Sequence, residues 1–368
     1  MPIHLECLSH TPLHGYVDPA AAIVEEVEQV KRAARARVEA FDPELVIVFA
    51  PDHYNGFFYD LMPPFCVGVH ATAVGDFASL AGPLRVESEV ALELAQSVLD
   101  SDIDLSVSYR MQVDHGCAQA LEILTGGLDR YPTIPVFINS VAPPIASCRR
   151  SRLLGQAMGR FVSRLDKRVL VIGSGGISHE PPVPEIVGAN AEITERLIAG
   201  RNPSPEARAM RQARTVAAAI AFEAGRSAMH PLNPEWDQAF LDRLATDLNA
   251  VDGMTNDAIT RDGGKSAHEI RTWIAAFGVL SAFGPYEATR DYYRAIPEWI
   301  AGFAAMHASS MPLRPIASTD IASTEVESAD FESTAIDSTK AASTKTASIN
   351  AASTNAIQST QGDVRVSA

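Results

Sequence analysis

The feature that most constrains the fold is the segment Leu45–Ala50, whose sequence LVIVFA is apolar without interruption. An uninterrupted apolar run of this length is typical of a strand that is buried on both faces of a sheet. Similar short runs occupy residues 105–109, 136–139 and 169–172. Helical spacing of apolar residues is found between them, at residues 88–99, 118–124 and 153–165. This alternation predicts an α/β fold with a central, largely parallel or mixed sheet flanked by helices.

Two further stretches are predicted to be helical. Asp18 and Pro19 suit the N-cap and first turn of a helix that extends to about Phe41. Between residues 190 and 303 the pattern is mostly helical, and it includes an Ala- and Arg-rich stretch at 206–228. No stretch with the composition of a linker interrupts these segments, so one domain is expected.

The last 53 residues, from Ile316 onward, differ in composition from the rest of the chain. More than half of them are Ala, Ser or Thr, and serine recurs every five residues from Ser318 to Ser353. A five-residue solenoid would need a bulky apolar residue at a fixed phase, and the residues that flank each serine vary. Such a segment cannot offset its own ordering entropy. We therefore predict a catalytic domain over residues 1–315 and a disordered tail over residues 316–368.

Composition argues against several classes of partner. The net charge of −15 at pH 7 disfavours a broad surface for nucleic acid or anionic lipid, because binding phosphates needs clustered cations. No apolar run approaches the roughly 20 residues that span a bilayer, and the N-terminus lacks the pattern of a signal peptide. The four cysteines form no CxxC pair and are expected to be reduced thiols. We predict a cytoplasmic protein that binds neither nucleic acid nor membrane.

Four of the ten histidines stand where predicted strands end. His10 follows a further apolar stretch at residues 3–9, and His53 follows the strand predicted at 45–50. His179 follows the strand predicted at 169–172, and His115 follows the one predicted at 105–109 and opens a helix. In open α/β sheets, ligands collect beyond the carboxyl ends of the strands. The four imidazoles are therefore expected to meet at one edge of the sheet, where they would suit a divalent transition metal.

A charge-balanced metal site would add a carboxylate. The candidates by position are Asp52, Asp114, Glu180 and Glu269. Glu269 lies in GGKSAHEIRTW, at the start of a predicted helix, from which it could project into the site. The alternative is that Glu269 is a solvated acid at the helix start, favoured there by the helix dipole without any other role. His268 and Glu269 do not begin the zinc-protease pattern HExxH, because its fifth position is Thr272. From the residues alone, both interpretations of Glu269 stay open.

The motif GSGGISH, which ends at His179, has the glycine content of a phosphate-binding loop. Its spacing matches neither GxGxxG nor the Walker pattern, which needs Lys and Ser or Thr after the last glycine. We favour the alternative that these glycines permit a tight turn and a close approach of the backbone to a neighbour.

Longer motifs indicate a family. They are CLSHTPLHGYVDP, FAPDHYNGFFYDLMPPFCVG, YRMQVDHGCAQ, GSGGISHEPPVPE, HPLNPEWD and GKSAHEIRTW. Together they resemble the type III extradiol ring-cleavage dioxygenases, the protocatechuate 4,5-dioxygenase-like family, over about residues 1–310. The similarity is greatest to enzymes that act on 3-(2,3-dihydroxyphenyl)propionate and 2,3-dihydroxycinnamate. It implies an Fe(II)-dependent homo-oligomer that uses O₂ to open the catechol ring beside one hydroxyl.

The resemblance also implies a role for individual residues. It places the iron ligands at His10, His53 and Glu269, the acid/base groups at His115 and His179, and positions lining the same pocket at Asp114 and Pro181. Two histidines and one carboxylate on one face of Fe(II) leave three positions for the catechol and O₂. Because ring opening moves protons, acid/base groups with a pKa near neutral are expected beside the metal.

Two functions from other classes remain as alternatives. One is a zinc hydrolase that uses the same histidines and carboxylate with a metal-activated water. The other is a non-enzymatic binding protein on the same fold, which the presence of the full ligand set together with His115 and His179 disfavours. Oxygen uptake with formation of a yellow product would separate the dioxygenase from both.

Overall fold

The computed structural model describes residues 2–310, so the predicted tail lies outside the described residues. The strands are Ile3–Leu8 (β1), Leu45–Ala50 (β2), Phe65–Gly68 (β3), Ala71–Val74 (β4), Ala81–Pro83 (β5), Ser106–Ser108 (β6), Met111–Val113 (β7), Thr133–Ile138 (β8), Val169–Ser174 (β9), Tyr286–Ile296 (β10) and Ala301–Ser310 (β11). The α-helices are Ala21–Phe41 (α1), Ser88–Leu99 (α2), His115–Thr125 (α3), Cys148–Val162 (α4), Ala191–Ala199 (α5), Pro205–Glu223 (α6), Pro234–Thr246 (α7), Asn256–Gly263 (α8) and Ile270–Ser281 (α9). Short 3₁₀ turns are formed by Leu248–Gly253, Ala267–Glu269 and Pro297–Trp299.

Eight strands form the main sheet, in the order β10-β11-β1-β9-β2-β8-β3-β6. The four central strands β1, β9, β2 and β8 run parallel to one another, whereas β11 pairs antiparallel with β1 and β3 antiparallel with β8. A second sheet has three strands in the order β5-β4-β7. The predicted α/β class with a largely parallel or mixed central sheet is therefore confirmed.

The apolar runs identified in the sequence form the middle of this sheet. Every residue of β2, β8 and β9 is buried, because helices cover both faces. One face packs against a core that includes residues of α2, α4, α7 and α9, and the other against residues of α1 and α3. The uninterrupted apolar sequence of these strands follows from this double coverage.

The prediction of a mostly helical pattern up to residue 303 is wrong for the last part of that stretch. Residues 286–303 belong to the antiparallel strands β10 and β11 and to the turn between them. The β11 sequence AGFAAMHASS is rich in alanine, which favours helix locally. Its neighbours in the sheet override this preference, since β11 lies between β10 and β1 and pairs with both.

The start of the first helix also differs from the prediction. Helix α1 begins at Ala21, and its N-cap residue Ala20 makes no side-chain capping bond. Asp18 instead accepts a hydrogen bond from the backbone N–H of Gly15. The aspartate therefore closes the preceding turn, a role for which its short acceptor is equally suited.

Helices α4 and α9 approach each other closely through glycines. A Cβ atom at Gly155 would overlap the backbone carbonyl of Ala275, and a Cβ at Gly278 would stand 2.6 Å from the carbonyl oxygen of Arg152. Ten residues of α4 are buried, and eleven of the twelve residues of α9 are buried. This contact holds α9, and with it the turn that precedes α9, against the sheet.

Gly155→Ala is expected to lower the free energy of unfolding by about 1–3 kcal/mol, because the added methyl group must displace the backbone of α9. Chemical denaturation monitored by circular dichroism measures the change. Gly253→Ala is the matched control, since nothing lies within 4 Å of a Cβ at that position. Equal stability of the two variants would contradict the close helix contact.

Helices α5 and α6 are anchored much more lightly than α9. Each has one buried residue, Leu197 in α5 and Ala219 in α6. Both helices lie on the surface beyond the strand ends, where they contribute to a cavity described below. Among the described residues, no helix has the length and hydropathy needed to cross a membrane.

Candidate active site

The four histidines predicted to meet do so, around one cavity of about 360 Å³. His10, His53 and His179 lie in the loops that follow β1, β2 and β9, whose carboxyl ends share one edge of the sheet. His115 is held by other elements, since it is the first residue of α3 and follows β7 of the small sheet. The apolar run predicted to precede His115 forms β6, at the far end of the main sheet.

Glu269 is the carboxylate on which these histidines converge. Its Oε1 lies 3.0 Å from His53 Nε2 and 3.2 Å from His179 Nε2, and its Oε2 lies 3.6 Å from His10 Nε2. The side chain is fully buried, and the backbone N–H of Gly176 donates to Oε2 at 3.0 Å. The alternative that Glu269 is a solvated acid at a helix start is therefore wrong.

Each of the four imidazoles has a partner at Nδ1. The partners are Ser174 Oγ for His10 at 3.1 Å, Asp114 Oδ2 for His53 at 3.0 Å, Asp76 Oδ2 for His115 at 2.6 Å and the carbonyl of Ile177 for His179 at 3.1 Å. An acceptor at Nδ1 keeps a proton on that nitrogen, so Nε2 is the nitrogen that can bind a metal ion or exchange a proton with a ligand. Three of these Nε2 atoms point at Glu269, as the distances above require.

Three sets of side chains in this cluster offer three donor atoms to a metal ion. One comprises His10, His53 and Glu269, whose carboxylate lies 3.6 and 3.0 Å from the two imidazoles. The second comprises His10, His53 and His115, and the third Asp76, Asp114 and His115, with donor atoms within 4.8 Å of one another in each. In the third set the carboxylates already accept hydrogen bonds from the rings of His115 and His53. The rings of His10 and His53 are nearly perpendicular, at 80°, so one ion can lie in both ring planes. The rings of His53 and His115 are stacked 4.6 Å apart at 19°, so their in-plane lone pairs cannot meet at one point. The geometry favours the set that contains Glu269.

Electrostatics are consistent with a cationic occupant of this cluster. Burial lowers the pKa of His10 to about 3, so its ring is in the neutral form that binds metals. Burial alone would raise the pKa of Glu269, but His179 and His10 outweigh it and hold that pKa well below the usual range. For His53 burial is likewise outweighed, by Asp114 and Glu269, which raise its pKa well above normal. The raised pKa favours a proton on Nε2 of His53 as well as on Nδ1, and a metal ion bound at Nε2 would displace the proton there.

The other candidate acids have structural roles. Asp52 accepts hydrogen bonds from the backbone N–H groups of Asn55, Gly56 and Phe57, and burial and the charge of Asp114 raise its pKa to about 7. Glu180 accepts from the backbone N–H of Lys265. Asp114 is fully buried behind His53, where it accepts from both the backbone N–H and the ring of that residue. Pro181 lines the cavity.

Comparison with known proteins covers most of the chain. The family model described as the catalytic LigB subunit of aromatic ring-opening dioxygenase matches residues 4–304. The chain belongs to this LigB family.

Curated relatives within the family are very similar to the chain. A protein of Cupriavidus pinatubonensis is 74% identical over 309 residues, which cover 84% of this chain and 98% of the relative. One of Burkholderia vietnamiensis is 73% identical over 314 residues, covering 85% and 99%. Each is named 2,3-dihydroxyphenylpropionate/2,3-dihydroxicinnamic acid 1,2-dioxygenase. A solved structure of an uncharacterised Escherichia coli K12 protein aligns over 83% of this chain and 98% of its own, with a TM-score of 0.42 and 11% identity.

In this LigB-family chain, the glycines of GSGGISH bring the loop after β9 against the cluster. A Cβ at Gly175 would stand 2.9 Å from the backbone oxygen of Glu269, and one at Gly176 would stand 2.7 Å from the ring of His179. These contacts support the interpretation that the glycines serve close backbone approach. They also explain why the loop can place His179 and Glu269 side by side.

Asp76 is a residue of the cluster that the sequence analysis missed. It is fully buried, and its two carboxylate oxygens accept from the ring Nδ1 and the backbone N–H of His115, at 2.6 and 2.8 Å. The next two residues, Phe77 and Ala78, both have left-handed backbone conformations, with φ of 48° and 57°. Such strain persists where the surroundings require it, and here it places Asp76 beneath His115 and Phe77 against its ring, 5.0 Å away.

Proposed function

We propose that the protein is an Fe(II)-dependent extradiol dioxygenase of 3-(2,3-dihydroxyphenyl)propionate and 2,3-dihydroxycinnamate. It would consume O₂ and form the corresponding 2-hydroxy-6-oxo-nona-dienedioate or trienedioate. The proposal is supported chiefly by the buried carboxylate of Glu269, shared by the crossed imidazoles of His10 and His53 beside two further histidines in one cavity. The names of the similar relatives support the choice of substrate.

In this proposal His10, His53 and Glu269 hold the iron. Two imidazoles and one carboxylate are the donor set of non-haem Fe(II) oxygenases, and they fit the atoms that converge here. When bound, the ion would supply adjacent coordination positions for the catechol oxygens and O₂ and would mediate electron transfer between them. Ser174 and Asp114, which hold the two Nδ1 atoms, fix the direction in which the donor nitrogens point.

His115 and His179 would move the protons. Both line the cavity, and both present Nε2 because Nδ1 is occupied by Asp76 and by the carbonyl of Ile177. We assign His179 as the base that accepts a proton from a catechol hydroxyl and His115 as the acid that donates one to an oxygen of the opening ring. Asp76 is a positioning residue in this assignment, since its carboxylate accepts a hydrogen bond from Nδ1 and orients the His115 ring.

The decisive experiment combines an oxygen electrode with absorbance spectroscopy. Protein reconstituted with ferrous salt under reducing conditions is mixed with 3-(2,3-dihydroxyphenyl)propionate. Stoichiometric O₂ uptake with the appearance of a yellow product is expected. The zinc-loaded protein serves as the control and should give neither signal. Absence of both signals from the ferrous protein would contradict the proposal and favour a hydrolase or a binding protein.

We also propose that residues 1–315 form the catalytic domain of a cytoplasmic homo-oligomer and that the segment from Ile316 onward is dispensable for catalysis. Truncation after Pro315 is expected to leave turnover unchanged and to shift the melting temperature by less than about 4 °C. Steady-state kinetics and scanning calorimetry of the full-length and truncated chains measure both quantities. A larger loss of melting temperature would indicate that the segment packs on the body.

A further inference from the structure

The cavity has a second charged end, opposite in sign to the first. Besides the histidines and Glu269, its lining includes Arg196 of α5 and Arg208, Arg211 and Arg214 of α6. Glu269 is the one carboxylate among the described residues that line it. A concentration of arginine is unexpected in a chain with a net charge of −15.

These arginines are not neutralised by the protein. Within the part of the chain that the structure describes, no carboxylate lies within 4.0 Å of Arg196, Arg211 or Arg214, in contrast to Arg201 nearby, which pairs with Asp60 at 3.1 Å. Burial, followed by the charges of Arg214 and Arg211, lowers the pKa of Arg196, and Glu192 of the same helix opposes this only in part. The three cations therefore lie close enough to repel one another.

The spacing of the α6 arginines places their side chains on one face of the helix, and that face lines the cavity. Arg208, Arg211 and Arg214 recur every three residues, and together with Ala207 and Thr215 they form the lining face of the helix. Like charges at this spacing destabilise an isolated helix. An anion bound in the cavity would remove this cost.

Arg211 connects the two ends of the cavity. Its guanidinium donates to the backbone oxygen of Tyr54 at 3.3 Å and to Asn55 Oδ1 at 2.7 Å, and these are the residues that directly follow His53. Apolar side chains, among them Phe58, Ile193 and Leu197, line the same cavity. A ligand with a metal-binding end, an apolar middle and an anionic end would match this order of surfaces.

We propose that Arg196, Arg211 and Arg214 form an anion subsite that binds the side-chain carboxylate of the substrate. The subsite rests on the proposed function, because it assigns the far end of a molecule whose catechol lies at Glu269 and the histidines. Guanidinium groups bind carboxylates with charge-assisted hydrogen bonds. The free charges of Arg196 and Arg214 would supply most of the affinity, whereas Arg211 is partly committed to the loop after His53.

The test compares an acid with its neutral counterpart. The kcat/KM for 3-(2,3-dihydroxyphenyl)propionate is divided by that for its primary amide, which has the same size and no charge. This ratio is expected to fall about 10-fold to 100-fold in Arg196→Gln and in Arg214→Gln, as for loss of a hydrogen bond between charged groups. Arg214→Lys, which keeps the charge, should recover part of the ratio. Arg226→Gln is the matched control, since Arg226 is exposed and does not line the cavity.

A binding measurement separates this subsite from the proposed catalysis. 3-Phenylpropionate has the carboxylate but no catechol hydroxyls, and its affinity can be measured by calorimetry without turnover. We expect at least 10-fold weaker binding by the Arg196→Gln/Arg214→Gln double variant and no change in Arg226→Gln. Arginine-dependent binding in a protein that cleaves no catechol would preserve the subsite and refute the proposed function. An unchanged ratio, or binding equal in wild type and double variant, would overturn the subsite.

Discussion

Replacing Glu269 with Gln is expected to abolish retention of iron and, with it, all ring cleavage. The amide cannot supply the negative charge that His10 and His53 share at 3.6 and 3.0 Å. Changes in residues that merely orient metal ligands cost about 10-fold to 100-fold in affinity, so loss of a ligand should cost more. His10→Ala and His53→Ala should behave in the same way. Metal analysis after gel filtration, with circular dichroism to check folding, measures the outcome.

Two comparisons make this prediction specific. His70→Gln replaces an exposed histidine outside the cavity and should retain iron and activity. His115→Gln should also retain iron. The His115 ring is stacked nearly parallel to the His53 ring, so the two rings cannot direct their nitrogens at one ion. Iron loss from His115→Gln together with iron retention in Glu269→Gln would replace the proposed ligand set with the one formed by three histidines.

Substitution of His115 or His179 by Gln is expected to slow turnover strongly while the metal stays bound. A positioned acid or base contributes about 10² to 10⁴-fold to a rate, which corresponds to roughly 3–5 kcal/mol of barrier. The pH dependence of kcat/KM should be bell-shaped in the wild type, because one imidazole must start neutral and the other charged. The two limbs report the apparent pKa values of the interacting pair.

Each variant should remove one limb of that curve, and the limb that vanishes assigns the role. With His179 as base, His179→Gln would remove the limb at low pH, and His115→Gln would remove the limb at high pH. Asp76→Asn should affect the His115 limb alone, since Asp76 contacts that ring and its backbone N–H. A variant that keeps wild-type turnover and both limbs would exclude its histidine from proton transfer.

Much of the site could be predicted because three of its histidines lie in the loops that directly follow strands of the parallel sheet. Runs such as LVIVFA mark β2, β8 and β9 by composition alone, and the residues just beyond parallel strands must share an edge. His10, His53 and His179 follow from this rule. Position alone could not separate Glu269 from a solvated acid, because its burial depends on α9 packing against the sheet and on the glycines of the loop after β9.

Two of the failures have a common physical cause, which is contact between distant parts of the chain. Strand β11 has an alanine-rich sequence and becomes a strand through pairing with β1, almost three hundred residues earlier, as in the pair Leu8 and Ala305. Asp76 is joined to His115 by a buried hydrogen bond across 39 positions. No local pattern marks such an aspartate. Two successive left-handed residues follow it, but their sequence, Phe-Ala, lacks the glycine or asparagine that would indicate them.

The unequal anchoring of the helices has a consequence for how new substrate preferences could arise. The end of the cavity at Glu269, where we propose that the catechol binds, depends on α9, in which eleven of twelve residues are buried. Most changes there would therefore cost stability as well as chemistry. Helices α5 and α6 have one buried residue each, and surface positions usually tolerate substitution. Diversification of α5 and α6 alone, in nature or in a mutant library, should therefore yield enzymes that open the same ring bearing different side chains.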